Sequence, residues 1–191
     1  MSLSLSRPSS ATLEALVDEQ SAQPLSYAEV GATAHSVAPE GYRHGRQVLE
    51  LGRGEDVFQR AADGLFRWQA HIGAGAMVAP PGAAVSEGLT VVVAIPVAVV
   101  WVRVACRVVY VVDQPARRGF AYGTLPHHVI EGEEAFSVER DEAEAVRVVV
   151  SAFLRPRGLL LRAAGPLVHR VDQRLVRRYL RGLHDYVTAP A

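Results

Sequence analysis

The spacing of apolar residues changes period along the chain and divides it into regions. Between 55 and 71, Val57, Phe58, Ala61, Ala62, Leu65 and Trp68 recur at helical spacing. Gly52 and Gly54 break the chain ahead of them, and Glu55 and Asp56 suit a first helical turn. A helix running to about His71 follows, ended by Gly73 and Gly75 and weakened inside by Gly64. From 77 onward the pattern is that of strands rich in Val: 77–79, 89–95, 99–112, 120–125, 133–140 and 145–154. The turns at 113–115, 126–132 and 141–142 are too short to hold crossover helices, so the strands form an antiparallel meander. In 99–112, Trp101, Arg103 and Arg107 share one face, expected toward solvent. Val102, Val104, Cys106, Val108 and Tyr110 share the other, expected toward the core.

After Gly165 and Pro166 the helical period returns. Val168, Val171, Leu175, Val176, Tyr179, Leu183 and Tyr186 fall on one side, with Arg170, Arg174, Arg177, Arg178 and Arg181 on the opposite arc. Upstream, the Ser-rich residues 1–10 read as a frayed tail and 11–20 as a short helix with Leu13, Leu16 and Val17 on one side. Residues 23–45 read as irregular chain anchored by Tyr27, Val30 and Tyr42, and 46–51 as a first strand. The expected organisation is a tail and short helix over 1–24, then one domain over 25–187. Its class is α+β: a curved antiparallel sheet of six to seven strands wrapped around a long C-terminal helix, a helix-grip. The space between such a sheet and its helix is a common place for a pocket.

Composition narrows the function classes. With 191 residues, 49% hydrophobic and 21% charged, the chain can bury one sizeable core. Twenty cations balance twenty acids, so no net field draws it to nucleic acid. Every cation is Arg, which reads as codon usage of a GC-rich bacterial genome. The lone Cys106 excludes an internal disulfide and fits a reducing cytoplasm; set inward among valines, it is expected to be an inert thiol. Residues 1–20 lack a secretory pattern, and the apolar stretch 89–102, interrupted by Pro96, is too short to span a bilayer. A soluble cytoplasmic protein is expected, with no membrane span and no cofactor.

The candidate chemistry gathers around one hairpin. Tyr122, Thr124, His127, His128, Glu133 and Glu134 flank the 126–132 loop. Phe120, Tyr122 and Thr124 share a face, as do Glu134, Phe136 and Val138. Glu134 is therefore expected on an apolar side, where desolvation raises a carboxyl pKa; which of Glu133 and Glu134 faces inward is left open by the spacing. The bland alternative is that Glu134 pairs with an Arg of a neighbouring strand or of the terminal helix. Adjacent His127 and His128 point apart on extended chain and cannot easily ligate one ion, so no metal site is expected. Asp172 falls on the apolar side of the terminal helix near Tyr179 and must find a partner or line a polar end of a pocket.

Several stretches together carry a family resemblance. They are 119–126, Gly-Phe-Ala-Tyr-Gly-Thr-Leu-Pro, continuing through His128 to the Gly-Glu-Glu-Ala-Phe of 132–136; the Ala-Phe-Leu-Arg-Pro of 152–156; Gly-Pro-Leu-Val at 165–168; and Gln173 with the Arg-Arg-Tyr-Leu of 177–180. Over about 25–185 the chain resembles the domain-of-unknown-function family nineteen-ninety. That resemblance implies a helix-grip architecture of the kind shared by START-type lipid-transfer domains and polyketide cyclases, and it implies no set activity. On these grounds the leading expectation is a binding module for a small hydrophobic or amphipathic ligand, with Tyr122, Thr124, His128, Glu134, Asp172 and Tyr179 as candidate contacts. The alternatives are a cyclase- or hydrolase-like enzyme with Glu134, His128 and Tyr122 as acid–base groups, or a ligand-free interaction protein presenting Trp101, Arg103 and Arg107.

Overall fold

A computed structural model describes residues 2–35, 39–158 and 165–190. Eight strands form one antiparallel sheet: β1 (Ser2–Ser4), β2 (Arg43–Arg53), β3 (Met77–Ala79), β4 (Thr90–Val97), β5 (Val100–Gln114), β6 (Arg117–Thr124), β7 (Ile130–Arg140) and β8 (Ala145–Pro156). The order across the sheet is β2-β8-β7-β6-β5-β4-β3, with β1 paired off this path to β5; β3 to β8 form a meander, and β2 pairs with the last strand. The helices are α1 (Ser10–Ser21), α2 (Glu55–Phe66), α3 (Gln69–Gly73) and α4 (Gly165–Thr188). The fold is the expected α+β helix-grip. No described helix is long and apolar enough to cross a membrane.

Residues 2–4 do not fray. Strand β6 reaches along β5 only as far as Thr124 opposite Cys106. Beyond that point β5 has an unpaired edge at 101–103, and β1 fills it with Leu3 opposite Val102. Serine composition hid a strand whose partner was already waiting.

The sheet has two covered faces. On the concave face the main core unites Val91, Val93 and Ile95 of β4, Val104, Cys106 and Val108 of β5, and Phe120, Tyr122 and Phe136 of β6 and β7 with the helices. On the other face Leu13, Leu16 and Val17 of α1 pack on Val92, Ala94, Ala105 and Leu125. The face of β5 expected to meet solvent is therefore partly roofed. Trp101 is half-buried against α1's cluster, and Arg107 caps α1's last turn by donating from Nη2 to the carbonyl of Ser21 at 2.7 Å. Tyr110 also departs from expectation. A bulge between Val108 and Tyr110 shifts the register by one residue and turns Tyr110 to the convex side, where its hydroxyl meets Thr33 Oγ1 at 2.8 Å.

The helix expected over 55–71 breaks in two. Trp68 adopts a left-handed backbone (φ 61°), and its indole N–H donates to the Ala83 carbonyl at 2.9 Å while the ring packs edge-on against Phe120. That change of direction starts α3 and aims His71 straight into the core.

Helix α4 buries Val176, Tyr179, Leu180, Leu183 and Val187, with Val171, Leu175 and Tyr186 half-buried. The side chain of Val168, expected on the same side, lies outside the described part. Arg170, Arg174, Arg177 and Arg181 are exposed as expected, but Arg178 is not. Its guanidinium turns inward to the carbonyls of Pro96 (3.0 Å) and Ala74 and ties α4 to the end of α3. There the two helices touch at glycines. A Cβ on Gly182 would stand 2.7 Å from the Ala70 carbonyl oxygen, and one on Gly73 2.6 Å from Gly182 Cα.

Candidate functional site

Between the concave sheet and the first half of α4 lies a cavity of about 320 Å³. Its floor is Val93, Ile95 and Val97 of β4 and Val102, Val104 and Cys106 of β5. Its roof is Leu167, Val171, Leu175 and Tyr179 of α4. The lining is overwhelmingly hydrocarbon because β4 and β5 present alternate valines to this side. Polar groups gather at one end, where Tyr122, Glu134 and Asp172 meet. All six residues singled out from the sequence, Tyr122, Thr124, His128, Glu134, Asp172 and Tyr179, line this one cavity.

Tyr122 and Glu134 are direct cross-strand partners on β6 and β7. The Tyr122 hydroxyl donates to Glu134 Oε2 at 2.7 Å. Glu134 thus pairs with a tyrosine rather than with an arginine. Behind Tyr122, His71 Nε2 sits 3.2 Å from the same hydroxyl. Since that hydroxyl gives its proton to Glu134, His71 serves as the donor to its oxygen, with the proton on Nε2. His71 Nδ1 then has no partner among the described residues. The order of donation is His71 to Tyr122 to Glu134, from the core toward the cavity.

Burial governs every ionisation here. His71 is fully buried, and desolvation pushes its pKa down to about 3, so the ring is neutral. Glu134 is pushed up to about 8, first by burial and then by the nearby Asp172 charge, against the lowering effect of the Tyr122 bond. Asp172 rises to about 6 through burial, offset in part by His169. The Tyr122 and Tyr179 hydroxyls and the Cys106 thiol are all pushed upward by burial, which makes Cys106 an inert wall residue.

The other candidates play supporting parts. His128 Nδ1 accepts the Ile130 amide at 3.1 Å and shapes the loop; burial holds its pKa at about 3. No described hydrogen bond joins it to Tyr122 or Glu134, so the residue that completes the expected trio is His71. The Thr124 hydroxyl is occupied by Ser26 Oγ (2.7 Å) and the Gly132 amide (3.0 Å). Tyr179 stacks obliquely on His71 with ring centroids 4.4 Å apart. A second, shallow cleft of about 40 Å³ lies on the outer side of Asp172, lined by Arg43, His44, Arg155, His169 and Gln173 among others. Among the described residues no three His, Cys, Asp or Glu side chains come together to hold a metal.

Glu133 has a separate task on the opposite face. Fully buried, it accepts Tyr27 Oη (2.7 Å), the amides of Gly31 (2.7 Å) and Thr33 (3.0 Å), and the Thr33 hydroxyl. It anchors the irregular 26–35 segment to the sheet. Tyr27 reaches it across Gly123, where any side chain would collide with the phenol. The Tyr-Gly-Thr-Leu and Gly-Glu-Glu stretches are thus one unit: Gly123 clears the path, Glu133 holds the loop, and Tyr122 with Glu134 faces the cavity.

His71 was missed by sequence reasoning because its orientation depends on the break at Trp68. The available signal was a histidine at the end of a strongly apolar helix face, in step with nothing polar around it.

Comparison with known proteins agrees with this architecture. Residues 26–182 match the model of a family described as a domain of unknown function, DUF1990. A UPF0548 protein of Deinococcus radiodurans is 35% identical over 188 residues, covering 92% of this chain and 94% of that protein. Among solved structures, the Zhui aromatase/cyclase from Streptomyces sp. R1128 superposes with a TM-score of 0.57 at 16% identity, covering 76% of this chain and 93% of that one. The hypothetical protein jhp0584 from Helicobacter pylori gives 0.56 at 12% identity, covering 77% and 88%. At such identities these structures share the fold and nothing more is carried over from them. The sheet, the long closing helix and the nearly full-length match lead to one conclusion: this chain belongs to the DUF1990 family, on a helix-grip fold.

Proposed function

We propose that this protein is a binding module of the cytoplasm that holds one small apolar or amphipathic molecule between the sheet and α4. The cavity carries the reading. Its volume of about 320 Å³ lies within the usual range for small-molecule sites, and its few polar groups converge at one end. At about 24 cal/mol per Å³, leaving such a space empty in place of packed core costs on the order of 8 kcal/mol, which rivals the whole net stability of a typical domain. A guest that brings hydrocarbon into it recovers much of that loss. The fold likeness to an aromatase/cyclase supports the same reading, because a helix-grip scaffold of that kind can enclose a small molecule.

The test uses the neutral probe N-phenyl-1-naphthylamine. Its fluorescence should rise and shift to the blue on mixing with the protein. Val104→Phe, which pushes a ring into the cavity floor, should abolish that signal while leaving cooperative unfolding intact. Absence of a probe signal from the folded wild-type protein overturns the proposal.

A further inference from the structure

The cavity wall contains two carboxyl groups, and their setting bears on what kind of molecule the site takes. Glu134 rises from the sheet on β7 and Asp172 descends from α4, so they belong to opposite walls. Glu134 is only 8% exposed. Tyr122 occupies its Oε2, and no described residue hydrogen-bonds its Oε1; the residue lines the cavity. No described residue hydrogen-bonds Asp172, and no described arginine forms an ion pair with either carboxyl. Two carboxyl groups that line an apolar chamber, Glu134 buried and Asp172 half-buried, are thus left open to a donor brought by a guest.

Among the described residues, no cation faces this pair from inside the chamber; His169, whose charge lowers the Asp172 pKa, lines the shallow cleft outside. From α3, His71 is neutral and spends its one proton on Tyr122; from the 126–132 loop, His128 is neutral and its Nδ1 is taken by Ile130. From β5 and α4, Cys106 and Tyr179 stay protonated. Arg178, on α4, has turned away to Pro96 and Ala74. His169 and Arg43 lie in the shallow cleft on the outer side of Asp172, and Arg155 there is paired with Glu131. An anionic headgroup entering the chamber meets acids, while a cationic one meets its complement.

We infer that the ligand of this cavity is an apolar amine, its hydrocarbon body on the valines of β4 and β5 and its ammonium group between Glu134 and Asp172. This rests on the binding-module reading above and narrows it. The charge balance agrees. At neutral pH burial and mutual repulsion keep about one proton on the two carboxyls together, so the pair carries one negative charge and matches one ammonium. The ammonium donates to Asp172 and to Glu134 Oε1, the acceptors that no described residue occupies. Fatty acids, whose carboxylate would be the third acid in the chamber, are rejected.

The experiment is displacement of bound N-phenyl-1-naphthylamine by decylamine, 1-decanol and decanoate at pH 7, each below its aggregation limit. Decylamine should compete about tenfold better than decanol, as expected for one charge-assisted hydrogen bond, with decanoate weakest. In Glu134→Gln and Asp172→Asn that preference should fall to within about twofold. Equal or better displacement by decanol or decanoate overturns the amine assignment while leaving the binding module standing. Retention of the amine preference in both variants also overturns it. Failure of the probe itself to bind removes both readings together.

Discussion

Glu133 and Glu134 are neighbours on one strand, and alternation sends them to opposite sides of the sheet, one into a set of four donors and one into a hydrocarbon chamber. The chamber acid makes stability depend on pH. Its pKa rises from 4.5 to about 8 on folding, so the folded state favours the proton more than the unfolded chain does. Its contribution is fully present below about pH 4.5 and is lost as pH rises toward 8. Asp172 behaves alike over the lower window of about 4 to 6, while His71 and His128, lowered on folding, act oppositely and go on titrating in the unfolded chain until about pH 8. Between pH 6.5 and 8 the Glu134 effect is therefore read as the difference between the wild type and Glu134→Gln, which keeps an oxygen for the Tyr122 hydroxyl and retains both histidines. By urea unfolding the wild type should lose about 1–2 kcal/mol relative to that variant across the window, at up to about 1.4 kcal/mol per pH unit. At this scale the period of two was enough to place Tyr122, Glu134 and Cys106 on the cavity side. Tyr110 escaped because a bulge resets the count after Val108, and His71 because a left-handed tryptophan redirects the helix before it. Both are single-residue departures from a regular period, and a periodic argument has no way to register them.

Helix α4 was the most readable element, since its apolar stripe recurs along its length and Asp172 fell where a cavity wall turned out to be, although Arg178 turned inward from the arginine arc. What the stripe does not encode is how close a neighbour comes. The α3–α4 contact depends on Gly73 and Gly182, whose missing side chains let backbone touch backbone. In an isolated helix, Gly→Ala stabilises by up to about 1 kcal/mol. Here the sign should reverse: Gly182→Ala must push against the Ala70 carbonyl and the Ala74 amide and should cost about 2 kcal/mol, an overpacking penalty of ordinary size. The neighbouring exposed Arg181→Ala should change stability by less than about 0.5 kcal/mol. Thermal melts of the two variants side by side decide the matter; a neutral or stabilised Gly182→Ala means the helices are not locked at that point. Strand β1 was illegible for a different reason. Three residues of Ser-Leu-Ser carry no pattern of their own, and they become a strand only because β5 outruns β6 and leaves an edge to be covered.

Across the molecule, the two faces of the sheet are finished differently. The convex face is closed by α1 and by the loop that Glu133 holds, with little space left over. The concave face is closed tightly only where α2, α3 and the second half of α4 meet it; under the first half of α4 it is hollow. Local stability should follow. Amide hydrogen exchange followed by mass spectrometry should find 165–175 exchanging much faster than 176–188, and a bound amine should slow the first segment selectively. Equal protection along the helix before ligand is added would mean that the roof is as rigid as the rest. Asp172 adds a consequence of its own, because it borders both the chamber and the shallow cleft outside. It stands as a doorpost. Ile130 and Leu154 on the sheet border both as well, so a guest longer than the room behind them would run out past one helix position and two strand positions, and its reach is set there rather than on the valine floor.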